Sequence, residues 1–141
     1  MDGANGSVVI VRGPGEEILM LLNNRNPQKW NLPGGGIDLG ELPVDAGARE
    51  LAQETGIVIA MVDLMRVGGF VFRERYGIVY LYEYRPCFSG TLPNHSCDEV
   101  AERQWMSIEK ILGLSRGETY PAQQVLIAHY SQWVQRGRGE T

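Results

Sequence analysis

Two short apolar runs separated by turn residues stand near the start of the chain. Ser7 to Arg12 and Glu17 to Leu22 are rich in β-branched and aliphatic residues, which is typical of strands. Gly13-Pro14-Gly15 marks a turn between them. Because this connection is short, the pattern predicts that the two strands pair as an antiparallel hairpin.

Three later runs also have the pattern of strands: Val62 to Arg73, Gly77 to Arg85 and Val100 to Met106. The charged tip Glu74-Arg75-Tyr76 joins the first two, and a loop from Pro86 to Asp98 precedes the third. In the middle run aliphatic and aromatic residues fall on both alternating sets, so both faces of this strand should be partly covered.

Helical patterns occupy three segments. Pro43 suits a first helical turn and Gly56 suits a stop, so a helix is predicted between them. Ser107 predicts an N-cap for a short helix from Ile108 to Leu112, and Tyr120 to Arg136 has the pattern of a final helix.

The predicted helix that stops at Gly56 has two unlike sides. At about 100° per residue, one side is mostly apolar and another is polar and acidic. The first set is Val44, Ala48, Leu51 and Thr55, and the second is Ala46, Glu50, Gln53 and Glu54. Gly47 inside the helix costs about 1 kcal/mol relative to alanine, so packing should stabilise this helix more than intrinsic propensity does.

Glu50 and Glu54 are the first candidates for chemistry. They are four residues apart and so lie one above the other on the helix, where two carboxylates repel each other. With the polar Gln53 beside them, they suggest a divalent cation held by oxygen ligands. The alternative is an acidic, solvated helix face.

The spacing around these acids is specific. The stretch from Leu32 to Ile57 reads LPGGGIDLGELPVDAGARELAQETGI, with five residues between Gly35 and Glu41 and seven between Glu41 and Arg49-Glu50. It resembles the Nudix box of the Nudix hydrolase superfamily at every fixed position except one. Gln53 stands where the family has the first residue of a Glu-Glu pair.

The resemblance implies a fold and an activity. The fold would be an α/β (α+β) domain over residues 1–141, an α/β/α sandwich with a mixed central sheet and flexible ends at 1–6 and 137–141. The activity would be that of a MutT-like hydrolase using Mg²⁺ or Mn²⁺. Water would attack phosphorus in the pyrophosphate bond of a nucleoside diphosphate linked to another group, as in a nucleoside triphosphate or a nucleotide sugar.

The resemblance also implies metal ligands. The carbonyl of Gly34 and the carboxylates of Glu50 and Glu54 would hold the ion, and Glu50 would be the candidate base. Gln53 could offer an amide oxygen but no charge, so the site should bind cations more weakly. The enzyme could then work with fewer metals or need more metal, recruit another acid, or be a weak member that mainly binds ligand.

Further charged residues complete the expected site. Arg49 would orient the acids, or merely form a salt bridge that closes the loop onto the helix. Glu41 would lie in the loop beside the metals. Arg25 would contact the substrate phosphate, because guanidinium matches the geometry of phosphate oxygens. The alternative for Arg25 is an ordinary surface charge. Glu99 is preferred over Glu102 as an additional acid ahead of Trp105-Met106, and both could be ordinary surface acids.

The rest of the chain restricts the function less. Four aromatic residues could stack a base or simply belong to the core: Phe70, Phe72, Tyr76 and Tyr80. His95 and His129 do not form a ligand pair by spacing and are expected to be incidental. Two rival functions stay open: a degenerate domain that senses a nucleotide-like ligand, and a scaffold in which the glycines serve packing alone.

Composition agrees with a small enzyme. The 141 residues suffice for one domain with a core, and hydrophobic residues make up 43%. The net charge of -4 argues against a nucleic-acid duplex as partner but not against a small anionic substrate. Cys87 and Cys97 should be free thiols. No apolar run reaches the ~20 residues that a membrane span needs. We therefore expect a cytoplasmic protein. A homodimer stays open.

Overall fold

The computed structural model of the protein describes residues 5–73 and 77–139. The strands in this part of the chain are β1 (Gly6–Ile10), β2 (Ile18–Asn23), β3 (Trp30–Asn31), β4 (Gly34–Gly36), β5 (Leu64–Phe70), β6 (Val79–Tyr84) and β7 (Val100–Met106). The helices are α1 (Pro43–Thr55), α2 (Ile108–Leu112) and α3 (Pro121–Gln135). The predicted tip Glu74-Arg75-Tyr76 and the end segments 1–4 and 140–141 lie outside the described residues.

The strands form two sheets. One has the order β4-β1-β6-β5 and is mixed, because β1 runs parallel to β6 and antiparallel to β4. The other has the order β3-β2-β7 and is antiparallel. Helix α1 packs on one side against β1 and β4, and α2 and α3 pack together. The predicted α/β class and the mixed sheet are confirmed.

The hairpin predicted for the first two strands is wrong. β1 and β2 belong to different sheets, and antiparallel contact between the two runs is confined to the residues next to the turn. There Leu19 N–H donates to the carbonyl of Val11 at 3.0 Å, and Arg12 bridges Ile18. The reason is that β4 and β6 occupy the two hydrogen-bonding edges of β1, which leaves no edge for β2.

The strands β1 and β2 each contribute to two cores. Because successive side chains of a strand point to opposite faces, a continuous apolar run can cover both sides. One core contains Val8, Ile10, Ile18 and Met20 together with Ile111, Leu126 and Ile127 of the two C-terminal helices. The other contains Val9, Val11, Leu19 and Leu21 together with Leu51 of α1. The sheets are therefore enclosed by helices on both sides.

Helix α1 begins and ends as predicted. Pro43 lies in its first turn, and Gly56 caps it with a φ of 78°, a left-handed conformation that favours glycine. Gly47 faces β1, where a Cβ would lie 2.9 Å from Oγ of Ser7, so glycine permits the helix to approach the strand. Ala46, which we placed on the polar side, is fully buried and belongs to the packed face.

Other elements differ from the predictions mainly at their ends. β7, α2 and the N-cap at Ser107 have the predicted positions. β5 is shorter than predicted because Met61–Asp63 forms a 3-10 turn before it. The sequence pattern does not predict β3 or β4, since strands of two or three residues are too short to give a periodic signal. Both Cys87 and Cys97 are free.

A buried carboxylate connects the end of the first sheet to the C-terminal helix. Glu83 of β6 is 1% exposed and accepts a hydrogen bond from the Tyr130 hydroxyl at 2.5 Å. Arg138 Nε donates to it at 3.0 Å, and Arg12 Nε lies 3.3 Å away. Arg138 therefore contacts the core, and the flexibility expected for 137–141 stays a prediction.

The helices that the structure describes are all too short or too polar to cross a membrane.

Candidate active site

The glycine strand β4 forms one wall of the candidate site. At Gly34 a Cβ would lie 2.4 Å from the carbonyl oxygen of Ser7, so a side chain cannot be accommodated beside β1. At Gly35 a Cβ would lie 2.6 Å from Cδ of Glu50. Because Gly35 has no side chain, the Glu50 carboxylate can lie directly against the β4 backbone.

A cavity of about 630 Å³ opens beside this wall. Its lining includes the three glycines of β4 and five charged residues, namely Arg25, Glu50, Glu54, Asp98 and Glu99. Four carboxylates and one guanidinium make this part of the lining acidic. An anionic substrate would be repelled here unless cations were bound with it.

Glu54 is the acid most affected by this environment. Its Oε1 accepts a hydrogen bond from the backbone N–H of Gly34 at 2.9 Å, which joins the end of α1 to the start of β4. Burial, together with the charges of Glu50 and Glu99, raises the pKa of Glu54 to about 8, although the Gly34 bond acts in the opposite direction. A bound cation would relieve this accumulation of negative charge.

Glu50 is held in place by its neighbour Arg49. Arg49 Nη1 donates to Oε2 of Glu50 at 3.0 Å. No hydrogen bond from a described residue reaches Oε1 of Glu50 or Oε2 of Glu54, so one oxygen of each carboxylate is available to a ligand. The side chain of Glu50 is 15% exposed, and it lines the cavity.

Arg49 connects α1 to the loop between β4 and α1. Its Nε and Nη2 donate to the two carboxylate oxygens of Glu41 at 2.8 Å and 2.9 Å, and Nη2 also donates to the carbonyl of Gly36 at 3.0 Å. The hydrogen bond from Arg49 lowers the pKa of Glu41 to about 2, and the same bond raises the pKa of Arg49. The two roles predicted for Arg49, orienting an acid and closing the loop, are thus compatible in one geometry.

Two residues predicted for the site lie beside it rather than in the cavity lining. Glu41 is occupied by Arg49 and does not line the cavity. Gln53 is exposed, and its Oε1 accepts a 3.2 Å hydrogen bond from Arg49 Nη1. The structure therefore brings together Gly34, Glu50 and Glu54 in the cavity lining, whereas the Gln53 side chain lies outside that lining and contacts Arg49.

The opposite wall is a tight turn before β7. Val100 N–H donates to the carbonyl of Cys97 at 3.0 Å, which places Asp98 and Glu99 at the centre of the turn. Asn24 fixes the backbone of both residues. Its side-chain Nδ2 donates a hydrogen bond to the carbonyl of Asp98, and its backbone N–H donates to the carbonyl of Glu99, each at 3.1 Å.

Of the two additional acids considered from the sequence, Glu99 lines the main cavity. Glu102 instead lines a smaller cavity of about 210 Å³, which Glu54 also borders. The predicted phosphate contact Arg25 is exposed and lines the main cavity next to the turn that carries Glu99.

The remaining lining is neutral and comes mainly from β1, β2, β3 and the start of α3. It includes the carboxamides Asn23, Asn31 and Gln123, the aromatic residues Phe72 and Tyr120, and the aliphatic residues Val79 and Leu126. Among the stacking candidates, Phe72 lines the cavity, whereas Phe70 stacks on His129 at 4.6 Å and Tyr80 lies under Arg66. Tyr76 lies outside the described residues.

The acids fit a hard divalent cation. Within residues 5–73 and 77–139, no three His, Cys, Asp or Glu side chains converge tightly enough to hold an ion by themselves. Mg²⁺ does not require such a cage, because it keeps several waters and uses one or two carboxylates with substrate phosphates. Glu50 and Glu54, each with a free oxygen beside the glycine backbone, match that requirement.

His95, expected from the sequence to be incidental, contacts the end of α1. Its Nε2 lies 2.8 Å from the carbonyl oxygen of Gln53, and its ring lies over Gly56, where a Cβ would be 2.9 Å from Cβ of His95. The sequence distance of 42 residues hid this contact, because loop residues carry no periodic signal.

Comparison with known proteins gives consistent matches. A family model described as "NUDIX domain" matches residues 3–130. The chain is 59% identical over 32 residues to an RNA pyrophosphohydrolase of Rhizobium meliloti (strain 1021), a match that covers 23% of this chain and 19% of the relative. It is 34% identical over 67 residues to diphosphoinositol polyphosphate phosphohydrolase 2 of Rattus norvegicus, covering 48% of this chain and 36% of the relative.

The matches to curated relatives are partial, whereas those to solved structures extend over nearly all of the chain. The matched stretches span between 17% and 38% of the curated relatives' own lengths. The crystal structure of a MutT protein from Methanosarcina mazei Go1 superposes with a TM-score of 0.72 at 26% identity, covering 97% of this chain and 96% of that chain.

Proposed function

The chain belongs to the NUDIX family, whose model matches residues 3–130, and on that premise we propose that it hydrolyses the pyrophosphate bond of a small nucleotide-type substrate with Mg²⁺ or Mn²⁺. The observation that carries this proposal is the acidic cavity beside the β4 glycines. Glu50 and Glu54 present free carboxylate oxygens there, and Glu99 borders the same space. The relative named as an RNA pyrophosphohydrolase supports the same type of reaction.

The proposed ligands of the cation are Glu50, Glu54 and the carbonyl of Gly34, with Glu99 contributing from the opposite wall. A divalent cation at this place would neutralise phosphate oxygens and activate a water for attack on phosphorus. Glu50 is also the proposed base, held in place by the hydrogen bond from Arg49 to its Oε2. Gln53 is left out of the ligand set, since its amide is turned toward Arg49.

Charge supports a substrate with few phosphates. Arg25 is the one cationic side chain among the described residues that line the cavity. A heavily phosphorylated ligand would need more guanidinium or ammonium groups to balance its charge. The net charge of -4 is also unfavourable for a long RNA. The neutral lining, with its carboxamides and Phe72, suits an uncharged planar group such as a base.

The experiment is a hydrolysis panel. Nucleoside triphosphates, dinucleoside polyphosphates and nucleotide sugars would be incubated with Mg²⁺ or Mn²⁺, and the released phosphate, pyrophosphate or nucleoside monophosphate would be measured. We expect turnover of at least one class, and loss of about two orders of magnitude in Glu54→Gln, in line with removal of a metal ligand. Tight metal-dependent binding without turnover would instead identify a ligand sensor, and absence of both would leave only a scaffold.

A further inference from the structure

His95 satisfies a backbone group that the end of α1 leaves open. In a continuing helix the carbonyl of Gln53 would accept from Ile57 N–H, but that N–H donates to Oγ1 of Thr55 at 3.1 Å instead. His95 Nε2 takes its place at 2.8 Å. Because a carbonyl can only accept, Nε2 must carry the hydrogen in this contact.

The ring of His95 also uses the space left by the capping glycine. A Cβ at Gly56 would lie 2.9 Å, 3.0 Å and 3.1 Å from Cβ, Cγ and Nδ1 of His95. The left-handed Gly56 therefore serves two purposes: it ends the helix, and it admits the imidazole. Two separate contacts fix the loop before β7 to the last turn of α1.

That last turn and that loop carry acids from opposite walls of the cavity. Glu54 is adjacent in sequence to Gln53, whose carbonyl His95 holds. On the loop side, one residue, Ser96, separates His95 from the tight turn from Cys97 to Val100 that presents Glu99. Glu54 and Glu99 both line the main cavity. Both carboxylates must be ionised to bind a cation, and two ionised carboxylates repel each other, so a contact that joins their walls favours the arrangement that binding requires.

We propose that His95 is a positioning residue, which holds the turn bearing Glu99 against the end of α1 so that Glu99 and Glu54 face one cation. This inference rests on the proposed roles of the two acids as metal ligands. His95 itself touches neither substrate nor metal in this arrangement. It acts by fixing the distance between the two walls. Among the described residues, no other side-chain hydrogen bond joins residues 86–99 to α1.

The test is a double-mutant cycle on Mn²⁺ affinity, measured by electron paramagnetic resonance without substrate. The variants are His95→Ala, Glu99→Gln and the double variant, with His129→Gln as the matched control because His129 is exposed and does not line the cavity. We expect His95→Ala to weaken Mn²⁺ binding about tenfold in the wild-type background but less than about twofold in the Glu99→Gln background. His95→Gln, whose amide can still donate, should recover part of the loss.

A purely structural role would give a different pattern. If His95→Ala lowered the melting temperature but left the Mn²⁺ affinity unchanged, or weakened it by the same factor in both backgrounds, the positioning role would be overturned. Absence of Mn²⁺ binding by the wild-type protein would overturn this inference and the metal-dependent function together. The predicted coupling without hydrolysis of any nucleotide would support the positioning role while refuting the hydrolase.

Discussion

The guanidinium of Arg49 and the carboxylate of Glu41 form a two-pronged ion pair, with Nε to Oε2 at 2.8 Å and Nη2 to Oε1 at 2.9 Å. The pair joins the loop that follows β4 to the helix that carries Glu50. A third nitrogen, Nη1, reaches Glu50 itself at 3.0 Å. One side chain thereby fixes both the loop and the proposed base.

Replacing Arg49 by lysine should show whether the position requires the hydrogen-bond geometry of a guanidinium or only a positive charge. An ammonium group keeps the positive charge but cannot make the parallel pair to Glu41 and reach Glu50 as well. We expect kcat/KM to fall by about 10–100-fold while the circular dichroism spectrum stays that of the wild type. Wild-type turnover in the lysine variant would show that the position needs charge alone.

Glu41 should stabilise the folded protein above about pH 4.5 and lose this effect in acid. Its pKa is lowered from 4.5 to about 2 in the folded protein by Arg49, so folding favours its ionised form. The stabilisation is fully present above pH 4.5 and disappears as the pH falls toward 2. Urea midpoints measured across this range should therefore converge for the wild type and Glu41→Gln at low pH. A constant difference between the two proteins would contradict the assignment.

A methyl group at Gly35 should damage the site without unfolding the domain. A Cβ there would meet Cδ and Oε2 of Glu50 at 2.6 Å, whereas a Cβ at the adjacent Gly36 would meet nothing within 4 Å. Gly35→Ala must push the Glu50 carboxylate away, so we expect hydrolysis to drop at least about tenfold, as for a displaced catalytic group. Gly36→Ala is the matched comparison and should lose far less. Equal losses would mean that β4 itself, not Glu50, is disturbed.

Restoring the family's missing glutamate should have little effect. The Gln53 amide lies beside Arg49 and outside the cavity lining, so Gln53→Glu mainly strengthens an existing contact with that guanidinium. We expect the Mn²⁺ concentration for half-maximal activity to stay within about threefold of the wild type, because an exposed ion pair contributes little. A tenfold lower requirement would instead identify position 53 as a metal ligand.

Tyr130→Phe should reduce stability without affecting the site. The hydroxyl donates at 2.5 Å to Glu83, which is 1% exposed, and neither residue lines the cavity. Losing a donor to a buried carboxylate should lower the free energy of unfolding by about 1–3 kcal/mol. Chemical denaturation measures this change, and KM should remain that of the wild type. A variant as stable as the wild type would show that Arg138 and Arg12 suffice to hold Glu83.

What the sequence predicted well depends on local signals. Pro43 and Gly56 set the ends of α1 because their backbone preferences act within a few residues, and Ser107 caps α2 for the same reason. Glu50 and Glu54, four residues apart, share one side of α1 as helical spacing requires, and both line one cavity.

What the sequence did not predict depends on contacts between distant residues. The pairing of β1 with β6 and the burial of Glu83 by Tyr130 join segments that local periodicity cannot relate. The same is true of His95 against Gln53. The orientation of Gln53 toward Arg49 was also inaccessible, since a motif position specifies a residue type but not the direction of its side chain.

The central place of β1 in its sheet sets an order for assembly during synthesis. β4 follows β1 closely along the chain, but the parallel partner on the other edge comes much later, with Gly6 opposite Val79. Until the ribosome has delivered β6, one side of an apolar strand has no hydrogen-bonding neighbour. The nascent chain must therefore keep that edge from pairing with other chains, and completion of the domain waits on this late, long-range contact.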